Sequence, residues 1–184
     1  MTKARDNANG GLGLILIKPT SVTNGTVDTN GRVTFSNVSN LIVDNVFDTK
    51  YKVYRIMFEK ITASTDTDDL HFQLRRGSTT QTTAYYCSTA VSSHSSASFS
   101  NINSNNVSQY TMHNYCDFFG HLDITGVGHT AEYPKFWGTA DDFAQSQTLT
   151  LGGNVRDSQT FTGFLIKSSS TNITGSLSIY GYKI

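Results

Sequence analysis

The chain has 184 residues, which is enough for one domain with a hydrophobic core and too few to divide comfortably into two. Its 14 Lys and Arg residues balance its 14 Asp and Glu residues, so no long-range field favours nucleic acid or an anionic membrane as a partner. The longest apolar run covers residues 12–17, far short of the roughly 20 residues of a membrane-spanning helix. We therefore expect no membrane segment and, because no signal-peptide pattern opens the chain, synthesis in the cytoplasm.

The composition favours strands over helices. Only 15% of the residues are charged, and solubility depends instead on many Ser, Thr and Asn side chains. Val, Ile, Thr, Tyr and Phe suit a pleated sheet, whereas Glu, Lys and other strong helix formers are scarce. The composition alone thus predicts an all-β protein.

The N-terminal segment is predicted to be an extended arm that leads into the first strand. Residues 1–11 end in two glycines and contain little that packs by itself, and residues 12–18 form an apolar run that stops at Pro19. The run does not alternate, which indicates burial on both faces or against a partner chain. We therefore divide the chain into residues 1–18, the arm and first strand, and residues 19–184, a β-sandwich domain. The candidate partner-binding residues of the arm are Leu12, Leu14, Ile15, Leu16 and Ile17.

Residues 19–61 are predicted to contain a hairpin and then a central strand. Two Asn-Gly dipeptides, at residues 24–25 and 30–31, are strong turn signals on either side of a short strand. Residues 51–61 form the longest strand pattern of the chain. There Tyr54, Ile56 and Phe58 are predicted to share one face, with Val53, Met57 and Ile61 on the other.

Beyond residue 61 the pattern continues as short strands between turns. Residues 70–75 alternate as a half-buried strand, and residues 92–108 are polar enough to predict a long surface loop that serves as a contact surface. A short helical turn is predicted near Asp141 and Asp142. The C-terminal residues 175–183 are predicted to be a core strand. Roughly ten strands in total predict a single jelly-roll-like β-sandwich.

No set of residues in the sequence predicts catalysis, a metal ion or a cofactor. His113, Cys116 and His121 form the densest group of metal-ligand types, but no second pair completes four ligands. The acidic residues at 66, 68 and 69 lack the pattern of a calcium loop and are better explained as a turn. Whether Cys87 and Cys116 form a disulfide stays open.

The segment 132–138 holds the sole tryptophan of the chain, Trp137, close to Tyr133. Exposed aromatic rings can stack on sugar rings, so both residues are candidates for contact with host glycans. A lone tryptophan in a sandwich is more often part of the core, and a subunit interface is the third interpretation.

Several segments together resemble small virion proteins of tailed bacteriophages. The resemblance rests on residues 11–22, 31–39, 46–47 with Tyr51 and 54–56, and the closing segment 174–182. It covers the first third and the last ten residues, while the middle diverges. It implies a particle component with a jelly-roll-like domain, either a head decoration (cement) protein or a tail or fibre protein, often a trimer, with no catalytic residues.

Our first hypothesis is a non-enzymatic capsid decoration protein of the virion that docks on the head lattice, formed by the major capsid protein or other virion proteins, through its N-terminal arm. Ordering a short arm against a lattice suits this role. The alternative is a tail-fibre or receptor-binding module that contacts host glycans through the 92–108 loop and the Trp137 segment.

Overall fold

The computed structural model describes residues 13–65, 68–93, 99–113, 117–142 and 145–183. Within these ranges no helix is present that could cross a membrane. Sixteen strands are formed by the described residues: β1 (Gly13–Ile17), β2 (Ser21–Thr23), β3 (Thr26–Val27), β4 (Val33–Val38), β5 (Asn40–Asp44), β6 (Val53–Ala63), β7 (Leu70–Arg76), β8 (Thr79–Thr80), β9 (Tyr85–Ser93), β10 (Phe99–Val107), β11 (Tyr110–His113), β12 (Asp117–Thr125), β13 (Lys135–Asp142), β14 (Gln147–Val155), β15 (Gly163–Ser168) and β16 (Ile173–Lys183).

The strands form two antiparallel sheets that pack face to face. The large sheet has the order β10-β9-β14-β13-β12-β6-β16-β4-β3, with β1 also paired to β16. The small sheet has the order β11-β7-β15-β5-β2, with β8 paired to β7. The predicted all-β sandwich is confirmed, whereas its jelly-roll form stays a prediction.

Aromatic side chains fill the space between the sheets. Phe72 of the small sheet meets Phe136 of the large sheet edge-on, with ring centroids 6.3 Å apart, and stacks on Phe164 at 5.6 Å. Tyr110 stacks on the other side of Phe136 at 5.3 Å. All four side chains are buried, and each contributes roughly 1.5–3 kcal/mol through the apolar surface it removes from water.

Strand β6 lies near the middle of the large sheet, as predicted, but its alternation is interrupted. Tyr54, Ile56 and Phe58 face the core, and Ile61, predicted on the opposite face, is also fully buried. The register with β12 shifts between the pairs Phe118↔Ile61 and Gly120↔Phe58, so β6 carries an extra residue there. Beyond this bulge the side chains of β6 that face the core shift by one position. A strict alternation along the sequence does not predict such a shift.

Strand β7 is buried on both faces, not half-buried as its alternation indicated. The polar side chains of His71, Gln73 and Arg75 are almost as inaccessible as the apolar ones between them. Arg75 donates to Asp44 at 2.9 Å and to Thr80 at 2.6 Å. Because this pairing satisfies the guanidinium, Arg75 can be buried inside the protein.

Two local predictions are wrong. The polar segment predicted as a loop over residues 92–108 contains strand β10, which pairs with β9 from Phe99↔Ser92 to Val107↔Tyr85, while residues 94–98 lie outside the described part. An edge strand is held by backbone hydrogen bonds, which need no alternation of apolar side chains. This explains why the sequence of β10 does not show a strand pattern. Asp141 and Asp142 lie in β13 and not in a helical turn.

Asp68 anchors the connection between β15 and β16. Its carboxylate accepts hydrogen bonds from Ser170 at 2.6 Å, Ser168 at 3.0 Å and Ser169 at 3.3 Å, and also from the hydroxyl of Thr171. These hydroxyls, Ser170 and Thr171 foremost, hold the pKa of Asp68 well below its ordinary value. The acidic segment therefore serves as a turn anchor at Asp68, while residues 66–67 lie outside the described part.

Candidate functional site

The first candidate surface is the free edge of strand β1. β1 pairs with the second half of β16, from Gly13↔Lys183 to Ile17↔Ile179, and β4 pairs with the first half of the same strand. Among the described residues, β1 pairs with no other strand. Within the described part of the chain, no strand pairs with its outer row of backbone N–H and C=O groups, which can therefore accept a further strand.

Large aliphatic side chains line this edge. Leu14 is 47% exposed, Ile15 39% and Leu16 42%, whereas Ile17 is partly buried against the core. Leu12, the fifth candidate arm residue, lies outside the described part. Burial of the run on both faces within this chain is thus wrong, and burial against a partner stays a prediction. We refer to Leu14, Ile15 and Leu16 as the β1 edge.

The β1 edge continues into a tyrosine pair on the outer face of the large sheet, the face turned away from the small sheet. Leu14 lies opposite Tyr182 in the register, and Leu16 lies opposite Tyr180. Directly opposite residues share a face, so the two leucines extend the surface formed by the tyrosines. Arg55 of the neighbouring strand lies 5.5 Å from the ring centre of Tyr182.

The second candidate surface contains Trp137, which lies on the outer face and is 44% exposed. Its neighbour in sequence, Phe136, points into the core at 2% exposure. Trp137 is therefore not the core residue that a lone tryptophan suggested. On the β12 side it lies opposite Asp123, whose carboxylate accepts two hydrogen bonds from Arg55, at 2.7 and 2.6 Å. This pairing raises the pKa of Arg55 and neutralises the carboxylate beside the indole.

Tyr133 lies close to the same end of the sheet. Its side chain is 53% exposed and lines a depression of about 240 Å³ together with Thr125, Glu132 and Lys135. The backbone of Pro134, next to it, accepts a hydrogen bond from Val155 at 2.9 Å, which fixes this segment to the end of β14. Both candidate glycan-contact residues are thus exposed on rigidly held backbone.

On the β14 side of Trp137 the sheet carries no side chain. Trp137 lies opposite Gly152, and Gly152 lies opposite Ser88 of β9. A Cβ atom added at Gly152 would meet no atom within 4 Å, so there is open space at this position of β14. A depression of about 430 Å³ occupies this position, lined in part by Gly152, Ser88 and Asn105.

Tyr86 and Arg156 form the far side of this depression. The Arg156 guanidinium lies 4.1 Å from the centre of the Tyr86 ring, a cation–π stack. Neither residue was predicted from the sequence as part of a site, and nor was Gly152. The one available signal was the pair Gly152-Gly153 inside a strand pattern, which often marks close approach of a ligand or a backbone.

The cysteine and histidine candidates do not form a site in the described part. The Cys87 thiol is free and buried, and burial raises its pKa to about 12, which makes it a poor nucleophile. Burial also lowers the pKa of His121. Cys116 and the side chain of His113 lie outside the described residues. Within those residues no group of three or more His, Cys, Asp and Glu side chains could hold a metal ion.

No protein-family model matches the chain, and no curated protein matches it in sequence. The two surfaces must therefore be interpreted from their own geometry and chemistry.

Proposed function

We propose that the protein is a non-enzymatic structural component of a bacteriophage virion, a capsid decoration protein that docks through the β1 edge and the residues that precede it. The observation that carries this proposal is strand β1, which has three consecutive exposed aliphatic residues and one side that no strand of the described ranges pairs with. Monomeric domains generally protect such an edge with charges, prolines or a covering loop. An edge left open in this way is suited to accept a strand or an apolar surface from a neighbouring subunit.

The placement of the phage-like segments supports the same proposal. The segments that resemble small virion proteins fall largely on β1, β4, β6 and β16. These four strands are neighbours in the large sheet, because β16 pairs with each of the other three. The resemblance thus covers one continuous part of the sheet, and the β1 edge forms its border.

The location in the particle is tested by labelling intact virions from the source with an antibody and viewing them by electron microscopy. A decoration protein gives label spread over the head. Label confined to the tail contradicts decoration and favours host recognition, and absence of label from all particles contradicts a virion role.

The β1 edge itself is tested by adding purified protein to heads that lack it. We expect the double variant Leu14→Lys/Leu16→Lys to bind heads at least tenfold more weakly than the unaltered chain, because two charges would have to be buried in the contact. Phe119→Lys is the matched control, since Phe119 is similarly exposed, at 44%, but lies on β12. Equal loss in both variants would contradict docking through β1.

The resemblance to phage virion proteins also implies a homo-oligomer, often a trimer. Light scattering of the free protein measures its molar mass and tests this proposal.

A second candidate function is host recognition by a tail-fibre or receptor-binding module that contacts glycans. The specific observation in its favour is the exposure of both Tyr133 and Trp137 at one end of the outer face. Trp137 is the sole tryptophan of the chain, so its fluorescence reports directly on this surface. Fluorescence that host polysaccharide leaves unchanged, together with an empty glycan array, would exclude this function.

A further inference from the structure

We propose that the depression at Gly152 is a binding site for an acidic sugar residue, which stacks beside Trp137 and places its carboxylate on Arg156. This inference rests on the second candidate function and adds to it the position of the site and the class of the ligand. The stacked pair of Tyr86 and Arg156 lines the depression, and Trp137 lies opposite Gly152 on the neighbouring strand.

The shape of the site suits a sugar ring. Strand β14 lies between β13 and β9, so Trp137 and Ser88 lie on either side of Gly152. Each is one strand spacing, about 4.8 Å, from Gly152. The missing side chain at Gly152 leaves open space above β14, and Trp137 lies directly opposite Gly152 on the neighbouring strand. At about 430 Å³ the depression lies within the usual range for small-ligand sites, roughly 300–1,000 Å³.

The polar groups around the depression match the hydroxyls of a sugar. Ser88 provides a hydroxyl and Asn105 an amide at its rim. Asn154 lies opposite Tyr86 in the register and provides a second amide on the same row. Amides and hydroxyls both donate and accept hydrogen bonds, as recognition of a polyol requires. Aromatic side chains beside such groups present an apolar face on which the C–H side of a sugar ring can stack.

The charges favour an anionic ligand. Arg156 is exposed and forms no ion pair among the described residues, and its stacking on Tyr86 holds the planar group in place. Lys135, opposite Asn154, adds a second cation. Of the nearby carboxylates, Asp123 is paired with Arg55, and Asp157 accepts the backbone N–H of Gln159 in a turn. A guanidinium fixed in this way can bind a carboxylate with two parallel hydrogen bonds.

A single-stranded nucleic acid is the competing ligand with similar chemistry, because it also combines stacking with negative charge. Such binding uses a cationic groove that follows several phosphates. Here two cations flank one depression in a chain whose formal net charge is zero. The observations therefore favour an acidic sugar.

The test is an array of uronate-bearing, sialylated, sulfated and neutral glycans, followed by Trp137 fluorescence titration with tetragalacturonate and its methyl ester. The ester removes the negative charge and adds one methyl group at each carboxyl. We expect binding to be confined to acidic glycans, with at least tenfold weaker affinity for the ester and a further loss as salt is raised. In Arg156→Gln the difference between acid and ester should disappear. Lys50→Gln, which alters another cation over a tyrosine ring, 5.2 Å from Tyr51, should behave like the unaltered protein.

A second variant tests the location of the site independently of the preference for an acidic ligand. A Cβ atom at Gly152 meets no other atom within 4 Å. Gly152→Val therefore extends a branched side chain into the depression, and we expect a folded protein that binds no glycan. Equal binding of acid and ester, abolished by Gly152→Val, would overturn the acidic-ligand inference and leave glycan recognition standing. Binding unaffected by Gly152→Val would overturn the site. An empty array would overturn both, and tighter binding of a single-stranded oligonucleotide than of any glycan would overturn the ligand class.

Discussion

At the scale of single residues, the glycines of the large sheet fall into two groups according to what surrounds them. Gly152 has open space where a Cβ would lie, whereas a Cβ at Gly138 would overlap the backbone carbonyl oxygen of His121. A strand glycine without such a contact only weakens the strand, since its unfolded state is more flexible than that of alanine. Close packing thus requires glycine at position 138. At position 152 packing does not require glycine, so another role, such as leaving space for a ligand, can account for it.

This contrast predicts opposite effects of the same substitution. We expect Gly152→Ala to raise the free energy of unfolding by about 0.5–1 kcal/mol, and Gly138→Ala to lower it by about 1–3 kcal/mol through overpacking. Urea denaturation followed by circular dichroism measures both. Destabilisation by Gly152→Ala would mean that the space beside Trp137 is not open.

Asp68 provides a pH-dependent contribution to stability. Because its pKa in the folded protein lies below the ordinary value, the carboxylate stabilises the fold above that value, and the contribution is lost as the pH falls through the folded pKa. We expect Asp68→Asn to lower the urea midpoint at pH 7, with the difference from the unaltered protein narrowing below about pH 4. Ser170→Ala, which removes the foremost hydrogen bond, should show the same trend with a smaller amplitude. A difference independent of pH would contradict this assignment.

At the scale of elements, alternation in the sequence predicted the core face of β6 well, but it missed the edge strand β10 and the second buried face of β7. Tyr54, Ile56 and Phe58 face the core as their spacing predicts, because both sides of β6 are paired and one face is buried. β10 carries no such pattern, since an edge strand is held by backbone hydrogen bonds to a single neighbour. The bulge that buries Ile61 depends on the partner strand, which a local pattern does not contain.

The candidate surfaces show the same division. The lack of alternation over residues 12–18 indicated burial either on both faces or against a partner chain. The exposure of Leu14, Ile15 and Leu16 excludes the first alternative within this chain, and the second stays a prediction. The site at Gly152 combines Tyr86 and Ser88 of β9 with Gly152 of β14 and with Arg156, which come more than 60 residues later in the sequence. Only the pairing of β9 with β14 places these residues together, so no window of the sequence could predict the site.

The pairing of β1 with β16 predicts unequal effects on stability along one ladder. Ile179 of β16 is fully buried, whereas Leu14 of β1 is nearly half exposed. We expect Ile179→Ala to lower the free energy of unfolding by about 2–5 kcal/mol and Leu14→Ala by about 1 kcal/mol. Chemical denaturation of the free protein measures both values. A loss at Leu14 as large as that at Ile179 would show that the β1 edge maintains the fold and is not reserved for a partner.

At the scale of the whole molecule, the two proposed surfaces are separate. From β1 to β14 the large sheet runs through β16, β6, β12 and β13, which is five strand spacings, or about 24 Å at about 4.8 Å each. A partner seated on the unpaired side of β1 adds to the sheet on the side away from Gly152. Docking and glycan binding can therefore take place at the same time.

This separation leads to a prediction about multivalency, which rests on both proposals. A protein held through the β1 edge in an oligomer or on a particle presents several Gly152 sites together, and linked sites commonly gain about 10²–10⁴ in avidity. We expect Leu14→Lys/Leu16→Lys to retain the affinity for soluble tetragalacturonate but to lose most of its binding to a surface densely coated with the same sugar. Surface plasmon resonance at low and high coating density distinguishes the affinity of a single site from the avidity of several linked sites. Weaker binding of the soluble sugar by this variant would mean that the two surfaces are coupled through the sheet, and unchanged binding to the dense surface would mean that the β1 edge does not hold the subunits together.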